Sequence, residues 1–215
     1  MDTLTEFTAQ IRTTIHDSAS DAYLTTDAEI EFALDQGKMW YSKRRPQHIN
    51  NRIPSVAGQY DYDLSALLSD WVVGFSLIEK LEYPDNYQEP SFYDEDEYMV
   101  YKNTILRFLK FTPGSSTDYI RLFYTTPHTL GASTSIPDED QAAVINYASA
   151  QLCFNLAAKF ARADDPNIAA DAVAYRSKSQ EYASTAKNLI TLAKELVTED
   201  TIRSGFAHWA YYNDS

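Results

Sequence analysis

The chain has 215 residues, 44% hydrophobic and 23% charged, and its 31 acids against 18 lysines and arginines give a formal net charge of −13. That length suits one domain, or one domain with a tail, and the acidity disfavours binding to phosphate backbones, which takes clustered cations. No apolar run approaches the roughly 20 residues that span a bilayer, Met1-Asp2-Thr3-Leu4-Thr5-Glu6 lacks the basic and apolar regions of an export signal, and a single cysteine, Cys153, points to a reducing compartment without internal disulfides.

In chain order, Leu4, Phe7, Ile11 and Ile15 recur at helical spacing and predict a first helix over 3–18. Thr26-Asp27-Ala28-Glu29 reads as a capping box that opens a second helix over 26–45, with Ile30, Leu34 and Tyr41 facing inward. This helix ends before Pro46 on Lys43-Arg44-Arg45, three cations at the negative end of the helix dipole. From Gln47 the period changes, and residues 47–134 read as a β-rich insertion. Within it, Tyr60-Asp61-Tyr62 predicts a short strand and Leu64 to Leu68 a helical turn. Val72 to Tyr83 reads as a strand, because Val73, Phe75, Leu77, Leu81 and Tyr83 share one parity. The acidic stretch between Tyr83 and Tyr98 reads as a loop. Two strands, 104–112 and 118–125, flank Pro113-Gly114-Ser115-Ser116-Thr117, a hairpin signal.

The last third is helical. Ser135-Ile136-Pro137-Asp138-Glu139-Asp140 is a strong helix start, and Ile145, Ala148, Leu152, Leu156 and Phe160 form an inward stripe over 138–163. After Asp164-Asp165-Pro166-Asn167, a final helix over 167–197 carries Ile168, Ala172, Tyr175, Ser179, Tyr182, Ala186, Leu189, Ala193 and Leu196 at a 3.5-residue period, the seam of an antiparallel pair. The pattern stops after Val197. Residues 199–215 read as an extended aromatic tail in which Ile202, Phe206, Trp209, Tyr211 and Tyr212 are docking candidates. The fold class expected is therefore α+β, mainly α: about four main helices in a bundle spanning 1–198, a small inserted antiparallel sheet or hairpin, and the tail.

Catalytic signatures are missing. The sequence has no G-x-x-x-x-G-K-[ST], G-x-G-x-x-G or G-x-S-x-G motif. Its four histidines, His16, His48, His128 and His208, are scattered without metal-ligand spacing, and Cys153 lies mid-helix as an inert thiol. No enzyme activity, metal or cofactor is expected. Glu82, Asp85, Glu89, Asp94, Glu95, Asp96 and Glu97 lie in one stretch without a cation, a solvated acidic loop or, alternatively, the carboxylates of a hydrolase or a cation site. Asp94 to Glu97 and Lys43, Arg44 and Arg45 are also candidate inter-subunit or channel-lining charges.

The order of segments carries a resemblance. Two N-terminal helices precede Gly58-Gln59-Tyr60-Asp61-Tyr62-Asp63-Leu64 and Trp71. Then come Leu77-Ile78-Glu79-Lys80-Leu81-Glu82-Tyr83-Pro84, the stretch from Leu106-Arg107-Phe108 to Ile120-Arg121-Leu122-Phe123-Tyr124, and the Ser135-Ile136-Pro137-Asp138 helix start before an Ala-rich helix pair. Over roughly 1–198 this resembles the adaptor, or head-to-tail connector, proteins of tailed bacteriophages. The resemblance implies a structural virion protein, made in the host cytoplasm, that forms a homo-oligomeric ring of twelve beneath the portal protein. Its C-terminal segment would grip the portal and its body would offer a face to tail, nozzle or tail-terminator proteins, with no membrane involved. An acidic bore would let DNA pass without specific binding. The β region is larger than in the most compact members of that family. From charge alone, a rival reading is an acidic inhibitor that mimics DNA on a nucleic-acid enzyme.

Overall fold

The structure, a computed structural model, describes residues 4–17, 24–85, 90–162 and 169–210, and their side chains except those of 169–176 and 198–210. The described residues form five helices and seven strands in two antiparallel sheets. The chain divides into two compact units, one made of residues 1–44 and 128–215 and the other of residues 45–127. The expected helical bundle with a small hairpin is thereby corrected, because the insertion is a two-sheet unit with a core of its own.

The helical unit is built from α1 (Leu4–Thr14), α2 (Asp27–Ser42), α4 (Asp138–Arg162) and α5 (Ala169–Ala210). Thr26 caps α2, accepting from the Glu29 N–H while the Glu29 carboxylate accepts from the Thr26 N–H at 2.7 Å. Apolar periodicity then decides which faces meet. Phe7, Ile11 and Ile15, with Ile30, Leu34 and Tyr41, are fully buried against Val144, Ala148 and Leu152 of α4. At the α2–α4 crossing a Cβ on Gly37 would lie 3.0 Å from the Val144 carbonyl oxygen, so the two backbones meet where α2 has no side chain. Trp40 stacks on Tyr147 at 4.5 Å between centroids.

A buried polar clasp ties α1 to the start of α2. Arg12 donates to Asp17 and to the Thr25 carbonyl, each at 3.2 Å, and to Asp27 at 2.6 Å. Asp17 also accepts from the N–H groups of Leu24 and Thr25 and from the Thr25 hydroxyl. Burial raises the Asp17 carboxyl, but the Thr25 hydroxyl, the two N–H donors and the Arg12 charge outweigh it and hold its pKa below the ordinary 3.8.

Among the described side chains of α5 the buried positions are Ala186, Leu189, Ala193 and Val197, whereas Leu196 is exposed. A strict 3.5-residue seam drifts around a 3.6-residue helix, and by the last turn the next residue has taken the inward place. Ile168, Ala172 and Tyr175 lie outside the described side chains. The helix does not stop at Val197. Its backbone continues to Ala210, so residues 199–210 are helical and the extended tail is corrected.

In the β unit the first sheet has strand order β1-β7-β3-β4, from β1 (Gln47–Pro54), β7 (Tyr119–Thr126), β3 (Ile78–Glu82) and β4 (Phe92–Tyr93). The second has order β2-β6-β5, from β2 (Asp61–Asp63), β6 (Ile105–Phe108) and β5 (Tyr98–Tyr101), with the short α3 (Leu64–Leu67) following β2. Alternation selects one face of each sheet. Ile53, Leu81, Ile120, Leu122 and Tyr124 from the first cluster with Tyr62, Tyr98, Leu106 and Phe108 from the second, and Leu64, Leu68 and Trp71 complete the core. On the other face of the first sheet, register places Arg52, Arg121 and Glu82 side by side. Buried Asp85 accepts an ion pair from Arg52 at 2.5 Å.

Two strand expectations fail in this unit. The segments around Pro113-Gly114 are not a hairpin, because β6 pairs with β2 and β5 while β7 pairs with β1 and β3. The turn-rich stretch carries the chain from one sheet to the other, with Ser55 donating to the Ser115 and Asp118 carbonyls. The expected strand 72–83 begins only at Ile78, since residues 72–76 close into a turn around Gly74 at φ +80.

Candidate interaction surface

That turn is held from several sides. Asp70 accepts from the hydroxyl of buried Tyr124 and from the Asn51 side chain, and its carbonyl accepts from the Thr126 hydroxyl at 2.8 Å. Burial pushes the Tyr124 phenol up, and the bond to Asp70 adds to the shift, so the hydroxyl stays protonated as a donor. The Trp71 indole N–H donates to the Asn103 carbonyl at 2.9 Å, which anchors the ring in the core. Within the turn, the Phe75 and Ser76 N–H groups both donate to the Val72 carbonyl, and the Val72 N–H donates back to the Ser76 hydroxyl. Leu77 then joins β7 through a pair of bonds with Thr125.

This anchored frame presents bare hydrocarbon to water: Val73 is 55% exposed and Leu77 69%, with Val72 beside them. Among the described residues thirteen large hydrophobic side chains are exposed, and ten of them belong to the β unit, although the two units have similar numbers of described side chains. Besides this turn they include Tyr60, Phe92, Met99, Leu109 and Tyr119. Single exposed apolar residues are ordinary on a protein surface. Three of the thirteen, Val72, Val73 and Leu77, lie within six residues on one hydrogen-bonded turn, and such a grouping makes the turn a candidate contact surface.

The charged candidates occupy quieter positions. Asp96 pairs with Lys110, whose hydrogen bond holds the carboxyl below its ordinary range. Glu97 folds back on its own turn, its carboxylate accepting from the Asp94 N–H at 3.0 Å and its N–H donating to the Asp94 carbonyl. Asp94 and Glu95 are exposed. Lys43 is the C-cap of α2, and Arg44 donates to the Trp40 carbonyl at 3.1 Å with its guanidinium over the indole. Both therefore serve the end of α2, and Arg45 opens the β unit.

Of the tail candidates, Ile202, Phe206 and Trp209 sit on the helical backbone of α5 but outside the described side chains, and Tyr211 and Tyr212 lie outside the described residues. Cys153 is fully buried, and burial pushes its thiol up to about 11. His48 pairs with Glu79 at 2.9 Å, His128 is buried with its N–H on Ser42, and the His208 side chain lies outside the described ones. Among the described residues no three His, Cys, Asp or Glu side chains are grouped to hold a metal ion, and no helix is long and apolar enough to cross a membrane.

Sequence reasoning missed Val73 and Leu77 because their parity fitted a strand, and Val72 because it stands first in that expected strand. The available signal was Gly74 inside an apolar run, which marks a bend. Compared with known protein families and with curated proteins, the chain matches none.

Proposed function

We propose that this chain is a structural subunit without catalytic chemistry, an adaptor that assembles as a ring on a bacteriophage portal, extends the DNA channel and offers a docking face to the tail. The observation that carries this reading is the rigid, exposed apolar turn at Val72–Leu77, in a unit that holds most of the exposed large hydrophobic side chains. A surface of that kind is covered in use by another protein. The order of segments supports the portal as a partner, and the net charge of −13 supports a bore along which DNA slides. The DNA-mimic alternative draws less support, since Lys110 already pairs with Asp96 and the Glu97 carboxylate is engaged by the Asp94 N–H of its own turn.

Native mass of the full chain, alone and with the portal protein encoded beside it, tests the reading. A ring in either sample is the expected result. Truncation before Glu199 is expected to abolish portal binding while leaving the helical circular dichroism of the body. A monomer that ignores the portal would overturn the proposal.

A further inference from the structure

The two sheets end in four edge strands, and an edge strand offers its outward N–H and C=O groups to any strand laid alongside. Three of the four are short: β4 has two residues, β2 three and β5 four. β1 has eight, paired with β7 in one unbroken register from Gln47 opposite Thr126 to Pro54 opposite Tyr119. We propose that β1 takes up an extended, acidic segment of a partner protein as an added strand.

The ladder fixes which groups are on offer. Just past Pro54, the Ser55 N–H donates to the Asp118 carbonyl at 3.1 Å, in the same register. Hydrogen-bonded pairs alternate in an antiparallel ladder, so Gln47, Ile49, Asn51 and Ile53 bond to β7, and the backbones of His48, Asn50 and Arg52 point away from it. Among the described residues, His48 and Asn50 make no backbone–backbone bond outside that ladder. Proline, which has no N–H to offer, stands only at the last position, Pro54. Side chains hold the strand straight beforehand: Ile53 is fully buried, Asn51 donates to the Tyr124 hydroxyl at 2.9 Å, and Arg52 pairs with Asp85. An incoming strand therefore meets a preformed template and orders little of this chain on binding.

Charge selects the partner. The twelve residues from Lys43 to Pro54 hold four lysines and arginines and no acid, in a chain with 31 acids against 18 such cations. His48 and Arg52 pair with Glu79 and Asp85, whereas exposed Lys43 and Arg44, just upstream, meet no carboxylate among the described residues. A second copy's β1, paired antiparallel through the outward residues about Asn50, would set Arg52 against His48 and bring two acid-free strands together. An acidic strand meets complementary charge instead.

The test uses the full chain and a fluorescent peptide of alternating valine and glutamate, followed by anisotropy, with a valine–lysine peptide as control. The glutamate peptide is expected to bind, and to bind less tightly as salt is added. Amide hydrogen exchange read by NMR is expected to slow at His48 and Asn50 on binding, while Ile49 and Asn51 are slow already in the free chain. Asn50→Pro removes an outward N–H without touching the β7 ladder and is expected to weaken binding by roughly tenfold or more. Lys43→Glu is expected to weaken it by roughly threefold. Should Asn50→Pro fold poorly, the exchange pattern of the unaltered chain decides. Exchange at His48 and Asn50 that the glutamate peptide leaves unchanged would overturn the proposal, as would equal binding of the lysine peptide. Exchange there that slows without peptide as the protein is concentrated would give the edge to a second copy and overturn it too.

Discussion

The two units solve the same stability problem with different materials. The helical unit buries aliphatic and small side chains in close layers, with Gly37 and the alanines of α4 and α5 letting backbones approach, and its described surface shows few large apolar groups. The β unit is smaller and leans on aromatics, with Tyr62, Tyr98, Phe108, Trp71 and Tyr124 in its core and hydrogen bonds to the polar tips of Trp71 and Tyr124. It leaves much of its hydrocarbon outside. The contrast teaches that a core can be finished in two ways: by hiding most apolar side chains, or by fixing a hydrogen-bonded frame that leaves many of them exposed.

Mutations can break this contrast in order of size. Trp71→Ala is expected to cost about 3–5 kcal/mol, since it removes a large buried ring and strands the Asn103 carbonyl. The loss belongs to the β unit, so near-ultraviolet dichroism and a low-temperature transition register it while the helical signal at 222 nm persists. A single transition shifted as a whole would show that the two units unfold together.

Asp17→Asn is next, at about 2–3 kcal/mol of the helical unit's stability near neutral pH. Because the folded Asp17 carboxyl lies below its unfolded value, its contribution is present above the unfolded pKa and fades as pH falls through the folded one. Denaturant melts of wild type and variant are therefore expected to differ most near pH 7 and to converge as pH drops below the ordinary 3.8. A gap that stays constant with pH would remove the charge-based account of the clasp.

Leu77→Ser is the smallest in stability, within about 0.5 kcal/mol, because this side chain is 69% exposed. Its expected effect falls on assembly, read by native mass. A melting temperature that drops by many degrees would mean that Leu77 is part of the core.

The helical unit was the more legible of the two from sequence. A capping box, a Pro-Asp helix start and apolar periodicity are local signals, and the Thr26 cap, the burial of Phe7, Ile11, Ile30 and Leu34, and the start of α4 at Asp138 follow them. The β unit depends on pairing between distant strands, which period alone does not specify. Residues 104–125 look like a hairpin until β1 and β3 claim β7. The candidate surface was legible only as an apolar run with Gly74 inside it. Nothing local in the sequence announces that Asp70 will find Tyr124 and Asn51, 54 and 19 residues away.

Cys153 gives the helical unit an internal clock. As the chain's single thiol, buried within α4, it meets a small alkylating reagent only when the surrounding helices part. Where reclosing outruns alkylation, the labelling rate divided by that of an unfolded cysteine is the equilibrium fraction open. The frequency of that opening is thus readable from the unmodified protein by mass spectrometry. Comparing free and assembled samples would reveal how far contacts made at the surface slow the breathing of a core they never touch.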